Sequence, residues 1–128
     1  MRYKIIIEYD GTGFYGWQKQ HGLPTIQEEV EKALKKFLKQ DIEVVASGRT
    51  DAGVHALGQV AHFDIIENDK KDPKKLAYSL NFFLNKNSIS IIDCQLVDKN
   101  FHSRFDATMR HYKYQIINRD AKIAVGAN

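Results

Sequence analysis

The chain has a single cysteine, Cys94, so no disulfide can form within it. The apolar residues around Cys94 mark it as a small core residue rather than a nucleophile. Only two prolines occur, Pro24 and Pro73, and each stands where a helix is expected to start. No apolar run approaches the length of a bilayer span. The apolar part of the N-terminus, Ile5-Ile6-Ile7, is too short for a signal peptide, so a cytoplasmic location is expected. A Gly-rich phosphate loop, a dinucleotide fingerprint and a Ser/His/Asp elbow are all missing. His55, His62 and Asp64 lie close in sequence but in no zinc spacing, so no metal is expected. There are no low-complexity stretches or linkers.

What is there suits one globular domain. A length of 128 residues can bury a real core. With 43% apolar and 27% charged residues, the chain is folded rather than disordered by composition. The net charge of +3 permits nucleic-acid binding without demanding it. Many basic residues are paired with acids along helices, so any free positive field must be local.

Arg2 to Tyr9 alternates and is β-branched in its middle, which predicts a strand. Asp10-Gly11-Thr12-Gly13 is a turn signal, and the aromatic run Phe14 to Gln18 reads as a hydrophobic plug over one sheet end. Thr25, with Glu28 three residues on, has the form of a capping box. Ile26, Val30, Ala33, Leu34, Phe37 and Leu38 then recur at helical spacing. Asp41 to Ala46 and Gln59 to Ile65 are expected strands. In the second, Val60, His62 and Asp64 face away from Ala61, Phe63 and Ile65. Such a histidine is more often structural than catalytic. Asp72-Pro73 opens a second helix, with an apolar stripe of Leu76, Leu80 and Phe83. Ser88 to Val97 is a strand, Asp98 to Asn100 a turn, and Met109 to Ile117 a last strand. This order predicts an α+β fold: a split β-α-β (ferredoxin-like) antiparallel sheet with two helices on one face. With no third helix to cover it, the other face is a candidate substrate or partner surface.

Between two of these strands lies Ser47-Gly48-Arg49-Thr50-Asp51-Ala52-Gly53-Val54-His55-Ala56. It gathers an acid, a base, a hydroxyl and an imidazole on a loop punctuated by glycine, where scaffolds commonly present chemistry. A carboxylate two residues from an arginine is favoured in its ionised form. Ionised Asp51 could serve as nucleophile, general base or metal ligand. The alternative is an Arg-Asp pair that only pins a tight loop. Arg104 and Tyr112 are the other groups that stand out beside it.

The run Gly48 to Ala56 resembles the signature of the tRNA pseudouridine synthase A family. Glu8 to Thr12 with Gly16-Trp17-Gln18 is similar to that family's first strand and following loop. Gln59 to Phe63 resembles the strand after the signature. Phe101 to Thr108, followed by Arg110 to Tyr114, resembles its second active-site block. The resemblance runs in order from about Tyr3 to about Arg119. It implies isomerisation of uridine to pseudouridine in the tRNA anticodon stem-loop (positions 38 to 40), without a cofactor. Asp51 matches the essential aspartate, which attacks at the ribose or at the uracil ring. Arg49 matches the arginine that pairs with it and displaces the target base. Tyr112 matches the tyrosine that stacks on the flipped uracil. Arg104 is expected to touch phosphate or to support the cleft. Lys19, Lys35, Lys36 and Lys113 are candidates for the tRNA backbone, with plain solubility as the alternative for each.

Members of the family are homodimeric and about twice this length, with a second, similar half that closes the cleft. The resemblance therefore implies an N-terminal catalytic half over residues 1–120, with a tail over 121–128 and weak activity in the absence of the second half. The alternative is a tRNA- or RNA-binding remnant that has kept the fold and lost catalysis.

Overall fold

In a computed structural model of the chain, residues 1–66 and 70–104 are described. The strand expected over Met109 to Ile117, Lys113 and Tyr112 lie outside the described residues, as does the tail. The elements are β1 (Arg2–Tyr9), α1 (Ile26–Leu38), β2 (Val45–Ala46), β3 (Ala56–Asp64), α2 (Pro73–Phe83) and β4 (Ile89–Val97). All strand pairs are antiparallel, in the order β2-β3-β1-β4. Each helix thus joins two strands separated by a third, which is the expected split β-α-β, ferredoxin-like arrangement.

Alternation along β1 divides the two faces. Tyr3, Ile5, Ile7 and Tyr9 are buried against Ile26, Val30 and Leu34 of α1 and Leu76 and Leu80 of α2. Across the register, Tyr3 meets Phe63 with stacked rings 5.8 Å apart, and Ile5 meets Ala61 and Cys94. Cys94 is a buried core residue, and burial with Asp93 alongside pushes its thiol up to about 12, so it holds no thiolate near neutral pH. β1 carries a bulge against each neighbour: between Ile7 and Tyr9 toward β3, and between Ile6 and Ile7 toward β4. Both lie at the end of the strand that leads to the first loop, and bulges re-aim the chain there.

The helix ends follow their chemistry. Thr25 Oγ1 accepts the Glu28 N–H at 3.4 Å, and Lys39 adopts φ 61° at the C-cap, where its N–H donates to Lys35 O at 2.9 Å. Asp72 Oδ1 accepts the Lys74 N–H at 3.2 Å, ahead of Pro73 at the first helical position. In the aromatic run, Trp17 is the plug, buried 6.3 Å from the Tyr9 ring, while Tyr15 is exposed.

Two elements differ from expectation. The strand expected over Asp41 to Ala46 pairs only at Val45 and Ala46. Ile42 and Val44 still point inward, but the Val44 backbone is served by α1 side chains. Its N–H donates to Glu31 Oε2 at 3.0 Å and its carbonyl accepts from Gln27 Nε2 at 3.2 Å. With both groups satisfied there, no strand neighbour is needed. β3 begins at Ala56, three residues before Gln59, because Ala56 pairs with Tyr9 across the bulge.

The face away from the helices is partly covered. After β4 the chain turns at Asp98, where the Phe101 N–H donates to Asp98 O at 2.9 Å, and residues 101–103 lie over β1, β3 and β2. Ile92, at the β4 bulge, stays exposed.

Leu80 is fully buried between α2 and the sheet. Leu80→Ala is expected to cost about 2–5 kcal/mol, read as a shift of the denaturant midpoint without a change in slope.

Candidate active site

The loop from Ser47 to His55 joins β2 to β3, and its backbone is held along its length. At its start, the Ser47 N–H donates to Val60 O at 2.8 Å and Ser47 Oγ donates to Gln59 Oε1 at 3.0 Å. Gln59 Nε2 donates to Gly48 O at 2.7 Å. Gln59 occupies a core-facing position of β3 where the alternation calls for an apolar residue. That mismatch was the signal available in the sequence for its role.

In the middle, Thr50 is fixed twice. The Trp17 N–H donates to Thr50 O at 3.1 Å, and the Tyr9 and Thr50 hydroxyls share a hydrogen bond of 2.8 Å. Burial pushes the Tyr9 phenol up, against a smaller opposing effect of Thr50, so its proton stays on. Beyond Thr50, the Val54 N–H donates to Asp51 O at 3.1 Å, closing a turn in which Gly53 adopts φ 77°. The Gly53 N–H donates to Phe14 O at 3.1 Å.

At the far end, the Gly11 N–H donates to His55 Nδ1 at 2.7 Å, and Asp10 Oδ1 lies 3.0 Å from the same nitrogen. Neutral His55 accepts from Gly11, and protonated His55 donates to Asp10. The imidazole keeps a partner on the first loop in either state. The Thr12 N–H, with His55 nearby, holds the Asp10 carboxyl below the usual range.

The first loop therefore lies directly along the Asp51 loop, and two glycines permit it. A Cβ on Gly11 would come 2.0 Å from Val54 O. One on Gly16, at φ +84°, would come 2.4 Å from Thr50 O. α1 backs the arrangement, since the Ile26 N–H donates to Gly16 O and the Gln27 N–H to Trp17 O. The contacts between the first loop and the Asp51 loop do not follow from spacing, because they join residues roughly 30 to 45 apart through topology alone.

On this fixed backbone the Arg49 and Asp51 side chains are exposed. Among the described residues they form no ion pair within 4 Å, with each other or with any other group. The structure thus brings Arg49 and Asp51 onto one rigid loop without joining them. Beside the loop, an open cleft of about 560 Å³ is lined by Glu8, Asp10, His55, Leu57 and the turn into β4. Arg104 is exposed, one residue after the fully buried Ser103. Tyr112 lies outside the described residues. Of the lysines singled out, Lys19 pairs with Glu31 at 2.9 Å and Lys35 with Asp41 at 2.8 Å. Among the described residues no three His, Cys, Asp or Glu side chains converge to hold a metal. No helix among them is long and apolar enough to cross a membrane.

His62 has a structural place. It is buried under Phe101, His102 and Ser103, its Nδ1 takes the Ser103 N–H at 3.1 Å, and burial first, then Arg2, lowers it from 6.5 to about 4. The folded state favours the neutral ring, so the unfolded chain binds more protons between these values. Stability from this group is therefore full above about 6.5 and declines as pH falls toward 4. An NMR titration is expected to place His62 near 4, and His62→Asn to flatten the loss of stability across that window. Gly16→Ala is expected to destabilise by about 2–3 kcal/mol through strain and the Thr50 clash, measured by chemical denaturation.

A family model described as tRNA pseudouridine synthase matches residues 5–106. Three curated relatives carry the name tRNA pseudouridine synthase A. The protein of Anaplasma phagocytophilum (strain HZ) is 46% identical over 127 residues, 98% of this chain and 51% of its own length. That of Neorickettsia sennetsu (strain ATCC VR-367 / Miyayama) is 49% identical over 128 residues, 100% of this chain and 52% of its own. That of Ehrlichia chaffeensis (strain ATCC CRL-10679 / Arkansas) is 49% identical over 129 residues, with the same coverage. The chain spans about half the length of these relatives. With a match across most of its described residues and a loop whose backbone is fixed while its acid stands free, the chain belongs to the tRNA pseudouridine synthase family.

Proposed function

We propose that this chain carries the nucleophile of a tRNA pseudouridine synthase acting on uridine in the anticodon stem-loop. The observation that carries the reading is Asp51: an exposed carboxylate on a loop whose backbone is held at Ser47, Gly48, Thr50 and Gly53. An exposed carboxylate on a fixed backbone is placed where a substrate atom can reach it. The name shared by the relatives supports a tRNA substrate, and the signature resemblance supports the anticodon arm.

The chemistry needs few parts. The target base leaves its stack before anything can reach its glycosidic bond. Arg49, exposed two residues from Asp51, fills the vacated space, and its planar fork suits phosphate or a base edge. Asp51 attacks at the ribose or at the uracil ring. The N1–C1′ bond breaks, the uracil turns, C5 bonds to C1′, and the bond to Asp51 breaks again to restore the carboxylate. The C5 proton leaves and N1 takes one up, so no electrons are gained or lost overall. That balance needs no cofactor. Tyr112 supplies the ring on which the flipped base stacks, and Arg104 contacts the RNA backbone. The protein acts in the cytoplasm as a homodimer, with β4, the last strand of the described sheet, offering an edge for association.

The test is pseudouridine formation in an unmodified tRNA transcript, with RNA binding measured in parallel. Weak turnover is expected from this chain, falling by about a thousandfold or more in Asp51→Ala with binding retained. Turnover that survives Asp51→Ala would refute the assignment. Binding without turnover in the unsubstituted chain would favour an RNA-binding module that has lost catalysis.

A further inference from the structure

The segment that follows β4 is seated on the open face by a chain of contacts ending at the stem of the Asp51 hairpin. Arg2 grips Asp64 through Nε at 2.8 Å and Nη2 at 3.0 Å, and its Nη1 donates to Phe101 O at 2.5 Å. The Phe101 ring meets His62 edge-on at 6.1 Å, and Lys4 Nζ lies 5.9 Å from its centre. Ser103, with no exposed surface, then closes the path. Its Oγ donates to Val45 O at 2.8 Å, and its backbone N–H donates to His62 Nδ1 at 3.1 Å, with Oγ 2.9 Å from the same nitrogen.

A backbone N–H always carries its proton, so Nδ1 must offer a lone pair and the ring proton sits on Nε2. Val45 and His62 face each other in the β2–β3 register. Their hairpin carries the Asp51 loop at its tip. Ser103 therefore fastens the returning chain to that stem, one residue before the exposed Arg104.

We propose that His62 is a positioning residue: its neutral ring clamps Ser103 and thereby sets where Arg104 stands relative to the Asp51 hairpin. The proposal rests on the reading of Arg104 as an RNA-contacting group. The alternative role for His62 is filler beneath the segment. That role needs ring volume but no acceptor at Nδ1, and it would couple to no property of Arg104.

Two measurements separate these roles. Amide hydrogen exchange in 15N-labelled protein is compared with His62→Phe, which keeps a ring and removes the acceptor. The Ser103 and Arg104 amides are expected to exchange about tenfold or more faster, with Ile5 and Ile7 unchanged. His62→Asn, which retains an acceptor near the Nδ1 position, recovers part of the protection. Should His62→Phe fail to fold, His62→Leu, which likewise removes the acceptor, gives the same comparison. Unchanged exchange at Ser103 overturns the clamp. The second measurement is binding of an anticodon stem-loop RNA as a function of salt. Arg104→Ala is expected to reduce the salt slope by about 1. In His62→Phe the slope is already reduced, and adding Arg104→Ala changes nothing further. Losses that simply add overturn the positioning role. Absence of RNA binding by the unsubstituted chain sinks the reading of Arg104, and exchange alone then decides whether the clamp exists.

Discussion

The Trp17 N–H to Thr50 carbonyl bond is the contact on which the candidate site turns. It ties the first loop to the Asp51 loop at the residue before the acid, at 3.1 Å. It forms only because Gly16 presents no Cβ to Thr50 O and because Trp17 is locked in the core beside Tyr9. Tyr9 in turn reaches Thr50 with its hydroxyl. The hydrophobic burial of two aromatic rings is thereby converted into the placement of one backbone carbonyl. The loop's position comes from the core, and its chemistry stays at the surface.

Legibility in the sequence followed the range of the forces involved. Both helices, their caps and the strands β1 and β4 came through because periodicity and capping are local properties. The fold class came through because the order of elements leaves few ways to pack two helices on one sheet. The short β2 did not, since Gln27 and Glu31 of α1 satisfy Val44 from outside any strand. Asp51 and Arg49 were legible as residue types on a glycine-rich loop. The idea that they form an ion pair was not supported by the geometry, because side-chain direction on an exposed loop leaves no trace in spacing. Gln59, Gly11, Gly16 and the His55–Asp10 contact were missed because each depends on a partner brought near by the sheet.

The open face shows how much a count of helices leaves out. A sheet with helices on one side exposes the other, and that face suggested a free surface. Here a few residues after β4 cover part of it, using backbone groups and buried polar side chains rather than an apolar layer. Buried polar contacts of this kind specify one placement more tightly than apolar packing does. The part left uncovered lies at the end nearer the Asp51 loop, where Glu8, Leu57 and Ser90 line the cleft.

The bonds that hold the Asp51 loop have a common origin in the chain. The described backbone partners of the loop from outside it come from Asp10 to Trp17 or from β3, and Met1 closes the unit by exchanging hydrogen bonds with Ile65 at 2.8 Å. On a ribosome, where synthesis proceeds from the N-terminus, these partners all exist before α2 and β4 have been made. The long loop-closure step that joins β1 to β3 is the one that shapes the site. The backbone around the acid can thus assemble early, and the later elements then complete the cleft beside it through the turn into β4.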